Sequence, residues 1–136
     1  MMGNPRMGDD AQTIHQLFAG HDRIRRTVTN IPGGIRAVTE SDDPQLTALI
    51  QSHVSQMYER VSQGQPIPMI SMSSTLPDMV QAANQYQRKI QFTPKGISVA
   101  ETSTDPRLEA IIRAHGLEVT QFVERGMSAM MHGRMQ

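Results

Sequence analysis

The chain has no cysteine and no tryptophan, and only two tyrosines and three phenylalanines among its 136 residues. Without cysteine there is no disulfide, no thiolate nucleophile, no iron–sulfur cluster and no cysteine-bound zinc. Haem attached covalently through a Cys-x-x-Cys-His sequence is excluded for the same reason. Because aromatic side chains are scarce, the core must be built mainly from aliphatic residues and from the 11 methionines.

Charge and hydropathy exclude further classes of protein. The 13 basic and 13 acidic residues cancel, and the densest basic cluster, at Arg23, Arg25, Arg26 and Arg36, is thin for nucleic acid and typical of a solvated face. No apolar run approaches the roughly 20 residues that span a bilayer, and the N-terminus lacks the apolar segment of an intact secretory signal. We therefore expect a soluble protein that binds neither nucleic acid nor membrane. We expect it in the cytoplasm, or in the periplasm if a signal has been removed.

The sequence contains an internal repeat. Residues 32–64 align without a gap with residues 94–126 at an offset of 62, and 12 of the 33 aligned pairs are identical. The pattern indicates that one structural unit occurs twice. The identical pairs are Pro32/Pro94, Gly34/Gly96, Ile35/Ile97, Ser41/Ser103, Asp43/Asp105, Pro44/Pro106, Leu46/Leu108, Ala48/Ala110, Ile50/Ile112, His53/His115, Val61/Val123 and Gly64/Gly126.

The repeat defines the organisation of the chain. A length of 136 residues fits one domain with a single core. Within this domain we predict five segments: a disordered arm at 1–9, repeat 1 at 10–64, a linker at 65–76, repeat 2 at 77–126 and a methionine-rich tail at 127–136.

Each repeat carries the signals of a β-hairpin. β-branched residues predict two strands in the first repeat, over 25–31 and 35–40. The Pro-x-Gly sequence between them predicts a type I turn with a bulge, in which the final glycine, Gly34, supplies a positive φ. The same interpretation applies to Gly96 in the second repeat.

Two helices are expected in each repeat. Apolar residues at spacings of three and four predict their extents. Asp43 and Asp105 each precede a proline, so we expect them to cap the N-termini of the two long helices and not to form a pair of catalytic carboxylates. The predicted helices run over about 10–22, 44–62, 77–87 and 106–126.

These elements predict an α+β fold made of two αββα repeats. One hairpin unit cannot bury its own apolar face, but two hairpins can join into a four-stranded antiparallel sheet with the helices on one face. We expect the two repeats to be related by a pseudo-two-fold axis. Exchange of a repeat between two chains would give a homodimer, an alternative that the sequence leaves open.

His53 and His115 are the candidate functional residues. Each lies in the middle of the apolar stripe of a long helix, where a polar ring needs hydrogen-bond partners. One interpretation is a core histidine bonded to the backbone or to a hydroxyl group, duplicated with the repeat. The other is that the pair converges on one ligand, because imidazole binds transition metals and haem iron.

Met57 lies one helical turn after His53, and imidazole with thioether suits copper or haem. We therefore assign His53 and His115 as candidate cofactor ligands, and both with Met57 as candidate metal ligands, without fixing the cofactor. Val119 replaces Met57 in the second repeat, and methionine is also an ordinary core residue here. His21 faces the stripe of the first helix and has Ala83 as its counterpart, and His15 lies off that stripe.

No motif indicates an enzyme. The sequence has no GxSxG, P-loop or GxGxxG pattern, and no catalytic residue is assigned. Acidic residues are scattered: Glu40 and Glu101 lie near strand ends, and Glu59 and Glu124 fall off the apolar stripes of the long helices. Most of them are expected to be solvent charges. The hypothesis is a non-catalytic metal- or haem-binding protein. The alternative is a structural or interaction module in which the histidines are core hydrogen-bonders.

The segment PGGIRAVTESDDPQLTALIQSHV and its second copy PKGISVAETSTDPRLEAIIRAHG resemble a bacterial family of small uncharacterised proteins built from this duplication. The resemblance covers about residues 14–126 and rests on the Gly-Ile hairpin, the Ser-x-Asp-Pro cap and the helix histidine. It implies the duplicated fold and a bacterial origin, and it implies no activity.

Overall fold

The computed structural model describes residues 7–67, 70 and 73–126. Its regular elements alternate between helices and hairpins, and a 3-10 turn precedes each hairpin, at His21–Arg23 and at Ala83–Gln85. In chain order the helices and strands are α1 (Met7–Ala19), β1 (Ile24–Ile31), β2 (Gly34–Ser41), α2 (Pro44–Gln63), α3 (Leu76–Gln81), β3 (Gln87–Thr93), β4 (Gly96–Thr102) and α4 (Pro106–Arg125).

The four strands form one antiparallel sheet in the order β1-β2-β4-β3, which confirms the predicted α+β class and four-stranded antiparallel sheet. Each hairpin pairs its own strands, and the hairpins join along β2 and β4. At one end of this central pair Gly34 lies opposite Thr102, and at the other Glu40 lies opposite Gly96. Two further hydrogen bonds close the ends, from the amide of Ser41 to the carbonyl of Lys95 and from the amide of Ser103 to the carbonyl of Gly33, both 3.0 Å.

The prediction for the first hairpin turn is wrong in its details. Ile31 pairs with Gly34, so the turn has two central residues, Pro32 and Gly33, and no bulge. Gly33 has the positive φ, 82°. Gly34 is required for a different reason: a Cβ there would lie 1.8 Å from the carbonyl oxygen of Glu101 on β4. Gly96 has the equivalent close approach to the carbonyl of Thr39, at 1.9 Å.

The long helices begin where the sequence predicts. The carboxylates of Asp43 and Asp105 accept hydrogen bonds from the amides of Gln45 and Arg107, both 2.9 Å, and thereby satisfy amide groups that have no partner within the helix. Helix α2 ends at Gly64 in the left-handed conformation, with φ 69°. The capping interpretation of the two aspartates is therefore confirmed.

The short helices differ from the prediction at their ends. Helix α1 begins at Met7, and both α1 and α3 stop before the predicted ends because the following strands must begin in register, at Ile24 opposite Ser41 and at Gln87 opposite Thr102. Strand pairing overrides the helical spacing that continues through Tyr86 in the sequence. The predicted arm falls mostly outside the described residues, and the tail at 127–136 falls wholly outside them.

The core lies between one face of the sheet and the helices. Helix α2 contacts β2 and β4, and α4 contacts β1, β2 and β4. None of the helices in the described part of the chain combines the length and hydropathy that a membrane span requires. The most buried apolar residues include six from the predicted helix stripes and the inward strand positions: Ile35, Leu46, Ile50, Ile97, Leu108 and Ile112.

A cavity between the helices and the sheet as candidate functional site

A cavity of about 300 Å³ lies between the helices and the inward face of the sheet. Its walls are mostly apolar, and every helix and strand contributes to them. His53 on α2 and His115 on α4 both line this cavity, as does Met57. The two histidines of the repeat therefore open onto the same space.

His115 is fixed by the segment that precedes α3. Its ring nitrogen Nδ1 lies 2.8 Å from the hydroxyl oxygen of Thr75. The Thr75 hydroxyl in turn donates to the carboxylate of Glu118, at 2.9 Å. Because a hydroxyl group has only one proton, Thr75 must accept a hydrogen bond from His115, which places the imidazole proton on Nδ1.

The second ring nitrogen of His115, Nε2, is then an unprotonated acceptor. It has no hydrogen-bond partner among the described residues. Burial lowers the pKa of His115 to about 4, against an opposing effect of Glu118, which raises it. The ring is therefore neutral at pH 7 and offers the cavity a lone pair.

Glu118 organises the end of the linker. It accepts hydrogen bonds from the hydroxyl groups of Ser73, Ser74 and Thr75 and from the amide of Ser74. Burial raises the pKa of Glu118, but these hydrogen bonds outweigh burial, and the resulting pKa is below the usual value. The carboxylate thus ties the linker to α4 and holds Thr75 against His115.

The other residues of the sequence-based hypothesis are placed less specifically. His53 and Met57 are both half-buried on the cavity side of α2. His21 also lines the cavity, from the 3-10 turn after α1, and its Nδ1 lies 2.7 Å from the carbonyl oxygen of Val123. His15 is exposed and does not line the cavity. The structure thus brings a third histidine, His21, to a cavity for which only the repeated pair was proposed.

The described residues contain no group of three or more His, Asp or Glu positioned to hold a metal ion. His115, His53 and His21 share a cavity, but they do not form a cluster of three ligands. A bare metal ion would therefore find at most two nitrogen or carboxylate ligands at one point of this cavity. Met57 also lines the cavity, and its sulfur is not counted among these nitrogen and carboxylate ligands.

Glu101 on β4 is an exception to the expectation that most acidic residues are solvent charges. Its side chain lines the cavity because it follows Ile97 and Val99 on the inward face of the strand. Its carboxylate makes no hydrogen bond and no ion pair with a described residue. Burial raises the pKa of Glu101, although Arg88 and Arg26 lower it through their charges.

Arg26 on β1 is the second residue that the sequence analysis placed on a solvated face and the structure places in the cavity wall. It donates to the hydroxyl groups of Thr39, at 3.0 Å, and Thr120, at 3.1 Å, and to the carbonyl of Gly116, at 3.4 Å. Burial lowers the pKa of Arg26 to about 10, and the charge of Glu101 opposes this effect. The guanidinium remains charged at pH 7 and ties β1 to α4.

Arg88 on β3 lies directly opposite Glu101 in the sheet, yet the two side chains do not form an ion pair. Arg88 instead donates to the carbonyl of Tyr58 at 3.1 Å and to the hydroxyl of Ser62 at 3.0 Å, both on α2. Its guanidinium carbon also lies 4.3 Å from the centre of the Tyr58 ring, a cation–π distance. Helix α2 therefore holds Arg88 away from the neighbouring carboxylate.

The sequence did contain a signal for these charged residues. Arg26 and Arg88 occupy equivalent positions at the offset of 62, and alternation along the strands puts Arg26 on the same face as Val28. By the same rule Glu101 shares its face with Val99. A charge that alternates with buried apolar residues is a candidate for the interior, and that rule would have found both Arg26 and Glu101.

No protein-family model matches the chain, and no curated protein and no solved structure is significantly similar to it. The resemblance to a duplicated bacterial family therefore stays a prediction.

Proposed function

We propose that this protein is a non-catalytic binding protein and that its ligand, a mainly apolar small molecule, occupies the cavity between the helices and the sheet. The observation that carries the proposal is that both repeat histidines, His53 and His115, line one apolar cavity of about 300 Å³. Ligand sites are typically cavities of roughly 300–1,000 Å³ with apolar walls and a few polar groups. A cavity of this kind is unusual in an interior that serves packing alone, because interiors are normally close-packed.

The hydrogen bonds around His115 favour binding over catalysis. The nearest hydroxyl group, that of Thr75, directs its proton to Glu118 and not to the imidazole. A nucleophilic hydroxyl needs the opposite arrangement, in which the histidine accepts its proton. His115 is therefore suited to contact a ligand and not to activate Thr75.

We also propose that the cavity arises from two copies of one αββα unit related by a pseudo-two-fold axis between β2 and β4. The hydrogen bonds from Ser41 to Lys95 and from Ser103 to Gly33 support this relation. The two donors occupy aligned positions at the offset of 62, and so do the two acceptors. Arg26 and Arg88 support it too, because each ties an edge strand to the long helix of the other repeat. Exchange of repeats between two chains, giving a homodimer, stays a prediction.

A cavity-filling substitution tests the proposed function. Val99 lines the cavity from β4, so Val99→Phe should place a ring in the space and exclude other molecules. We expect wild-type protein to bind the neutral fluorescent probe N-phenyl-1-naphthylamine, and Val99→Phe to bind it at least tenfold more weakly. Fluorescence titration measures the affinity, and circular dichroism confirms that both proteins are folded.

Val38→Phe is the matched control, because Val38 lies on a central strand but points to the opposite face of the sheet, where it does not line the cavity. This variant should bind the probe like the wild type. Equal probe binding by folded Val99→Phe and Val38→Phe would contradict the proposal. Absence of probe binding by the wild type would favour the alternative, a structural or interaction module with core histidines.

A second candidate function is binding of haem or copper through His53 and His115, with Met57 as a further ligand. The observation that favours it is the fixed Nδ1–H tautomer of His115, since a metal-binding histidine usually donates its other ring N–H to a neighbouring acceptor. Here Thr75 accepts the hydrogen bond from the N–H of His115, and Glu118 accepts one from the hydroxyl of Thr75.

Titration of the protein with haem tests this candidate. We expect a shifted Soret band at one haem per chain, which is lost in His115→Ala and retained in His15→Ala, the exposed control. Copper is tested in the same way by equilibrium dialysis. If wild-type protein binds the apolar probe but neither haem nor copper, the proposal of metal or haem binding is wrong. The cavity then takes a metal-free molecule.

A further inference from the structure

We propose that Glu101 is the recognition group of the cavity and that its ligand is an apolar amine, whose ammonium group binds the Glu101 carboxylate. This inference rests on the proposed binding function and names the chemical class of the ligand. The juxtaposition that carries it is an unpartnered carboxylate in the wall of a mainly apolar cavity.

An unpartnered carboxylate in such a place is costly and needs an explanation. Transfer of an ionised carboxylate from water to an apolar site is unfavourable unless a cation or several donors meet it. Glu101 makes no hydrogen bond and no ion pair with a described residue, although Arg88 lies directly opposite it on β3. The charges of Arg88 and Arg26 lower its pKa without direct contact, and burial, the larger effect, raises it. This carboxyl group can be met by a proton, which burial favours, by Arg88 after rearrangement, or by a cation that a ligand carries. A protonated amine that enters the cavity replaces that proton and leaves an ammonium–carboxylate pair.

Rearrangement of Arg88 is the less favourable route. Its guanidinium makes two hydrogen bonds to α2 and lies over the ring of Tyr58. Turning towards Glu101 would break all three contacts. Arg26, the other arginine of the cavity, makes three hydrogen bonds with β2 and α4. Both cations are committed to structural contacts, so neither makes the direct contact with the Glu101 carboxylate that an ammonium group of a ligand would make.

The charges of the cavity wall favour the same ligand. Two cations, Arg26 and Arg88, balance two carboxylates, Glu101 and Glu118. Glu118 is already satisfied by the hydroxyl groups of the linker. The remaining unpartnered carboxylate is an acceptor, and so is Nε2 of His115. A ligand that carries hydrogen-bond donors suits these acceptors, whereas an anionic ligand would add a second charge of the same sign beside Glu101.

A matched series of probes tests the proposal. At pH 7, n-octylamine is protonated, 1-octanol is neutral and octanoate is anionic, while the three share one apolar chain. Displacement of N-phenyl-1-naphthylamine measures the affinity of each. We expect n-octylamine to bind at least tenfold more tightly than 1-octanol, and octanoate to bind most weakly.

The Glu101→Gln variant, which keeps the size of the side chain and removes its charge, should lose the preference. Its affinity for n-octylamine should fall about tenfold, to that of 1-octanol, while its affinity for 1-octanol and for the fluorescent probe stays unchanged. Glu124→Gln, an exposed position on α4, is the matched control and should behave like the wild type.

The outcomes separate this inference from the proposed function. If the fluorescent probe binds and the three octyl compounds bind equally, or the preference survives in Glu101→Gln, the amine proposal is overturned and the binding function stands. Tighter binding of octanoate would overturn it in favour of an anion bound at Arg26 or Arg88. Failure of the probe itself to bind wild-type protein overturns both.

Discussion

Replacing Gly34 with alanine is expected to destabilise the fold by roughly 4 kcal/mol or more, enough to unfold a domain of this size. The new Cβ would lie 1.8 Å from the carbonyl oxygen of Glu101 and 2.9 Å from its carbonyl carbon. Both atoms belong to the backbone of the neighbouring central strand, so no side chain can move aside to make room. The sheet would have to separate between β2 and β4, where the two hairpins join.

Chemical denaturation followed by circular dichroism measures this effect. Gly64→Ala is the matched control: Gly64 has a positive φ of 69°, but a Cβ there would meet nothing within 4 Å. We expect that variant to lose only about 1–2 kcal/mol, the cost of the left-handed conformation. Similar stability of Gly34→Ala and Gly64→Ala would contradict the close approach of the two central strands.

Replacing Glu118 with alanine is expected to cost roughly 3 kcal/mol at pH 7, because hydrogen bonds to a charged acceptor are worth about 1.5–3 kcal/mol each and are not additive. The variant would leave the hydroxyl groups of Ser73, Ser74 and Thr75 without their acceptor. His115 would keep its contact with Thr75, but Thr75 would no longer be held in place by Glu118. Glu124→Ala on the exposed side of α4 is the control, with an expected change within about 0.5 kcal/mol.

The pH dependence of unfolding gives this prediction a second measurement. Because the pKa of Glu118 is lowered in the folded protein, its stabilisation is complete above the ordinary value of 4.5 and is lost as the pH falls below it. The pKa of His115 is lowered from 6.5 to about 4. As the pH falls between these values the unfolded chain takes up a proton at His115 that the folded protein does not, so the free energy of unfolding falls. The wild type should lose stability from pH 6.5 downwards through His115 and, below pH 4.5, through Glu118 as well. Glu118→Ala should keep the loss due to His115, which extends below pH 4.5, and lack the additional loss due to Glu118, so its loss below pH 4.5 should be smaller. A persisting loss below pH 4.5 in that variant, equal to the wild type's, would contradict the role of Glu118.

Much of the fold could be predicted because its signals are local. Asp43 before Pro44 marks a helix start, and the β-branched segment over 25–31 marks a strand. The ends of α1 and α3 could not be predicted in this way, because they depend on strand register. The role of Gly34 was missed for a related reason. A glycine is required there because the backbone of β4, from the other repeat, passes too close for a Cβ, and β4 is distant in the sequence.

The candidate site was predicted in part. The repeat singled out His53 and His115, and the apolar stripe placed them towards the interior, where they line one cavity. The sequence could not show that Thr75 and Glu118 fix the tautomer of His115, because the linker and α4 meet only after folding. Strand alternation places Glu101 on the inward face, but the sequence could not show that its carboxylate makes no hydrogen bond there, since that depends on its surroundings in the folded protein.

By itself the sequence determined the elements and the classes of chemistry open to this protein. The absence of cysteine excludes thiolate and iron–sulfur chemistry, and the internal repeat with its Asp-Pro caps specifies paired hairpins and long helices, because these signals act within a few residues. Only the tertiary structure decided that the two histidines share a cavity with Glu101 and that Arg88 is held on α2 and not on its neighbouring carboxylate. The choice of partner arises between segments that are distant in the chain, so no local pattern fixes it.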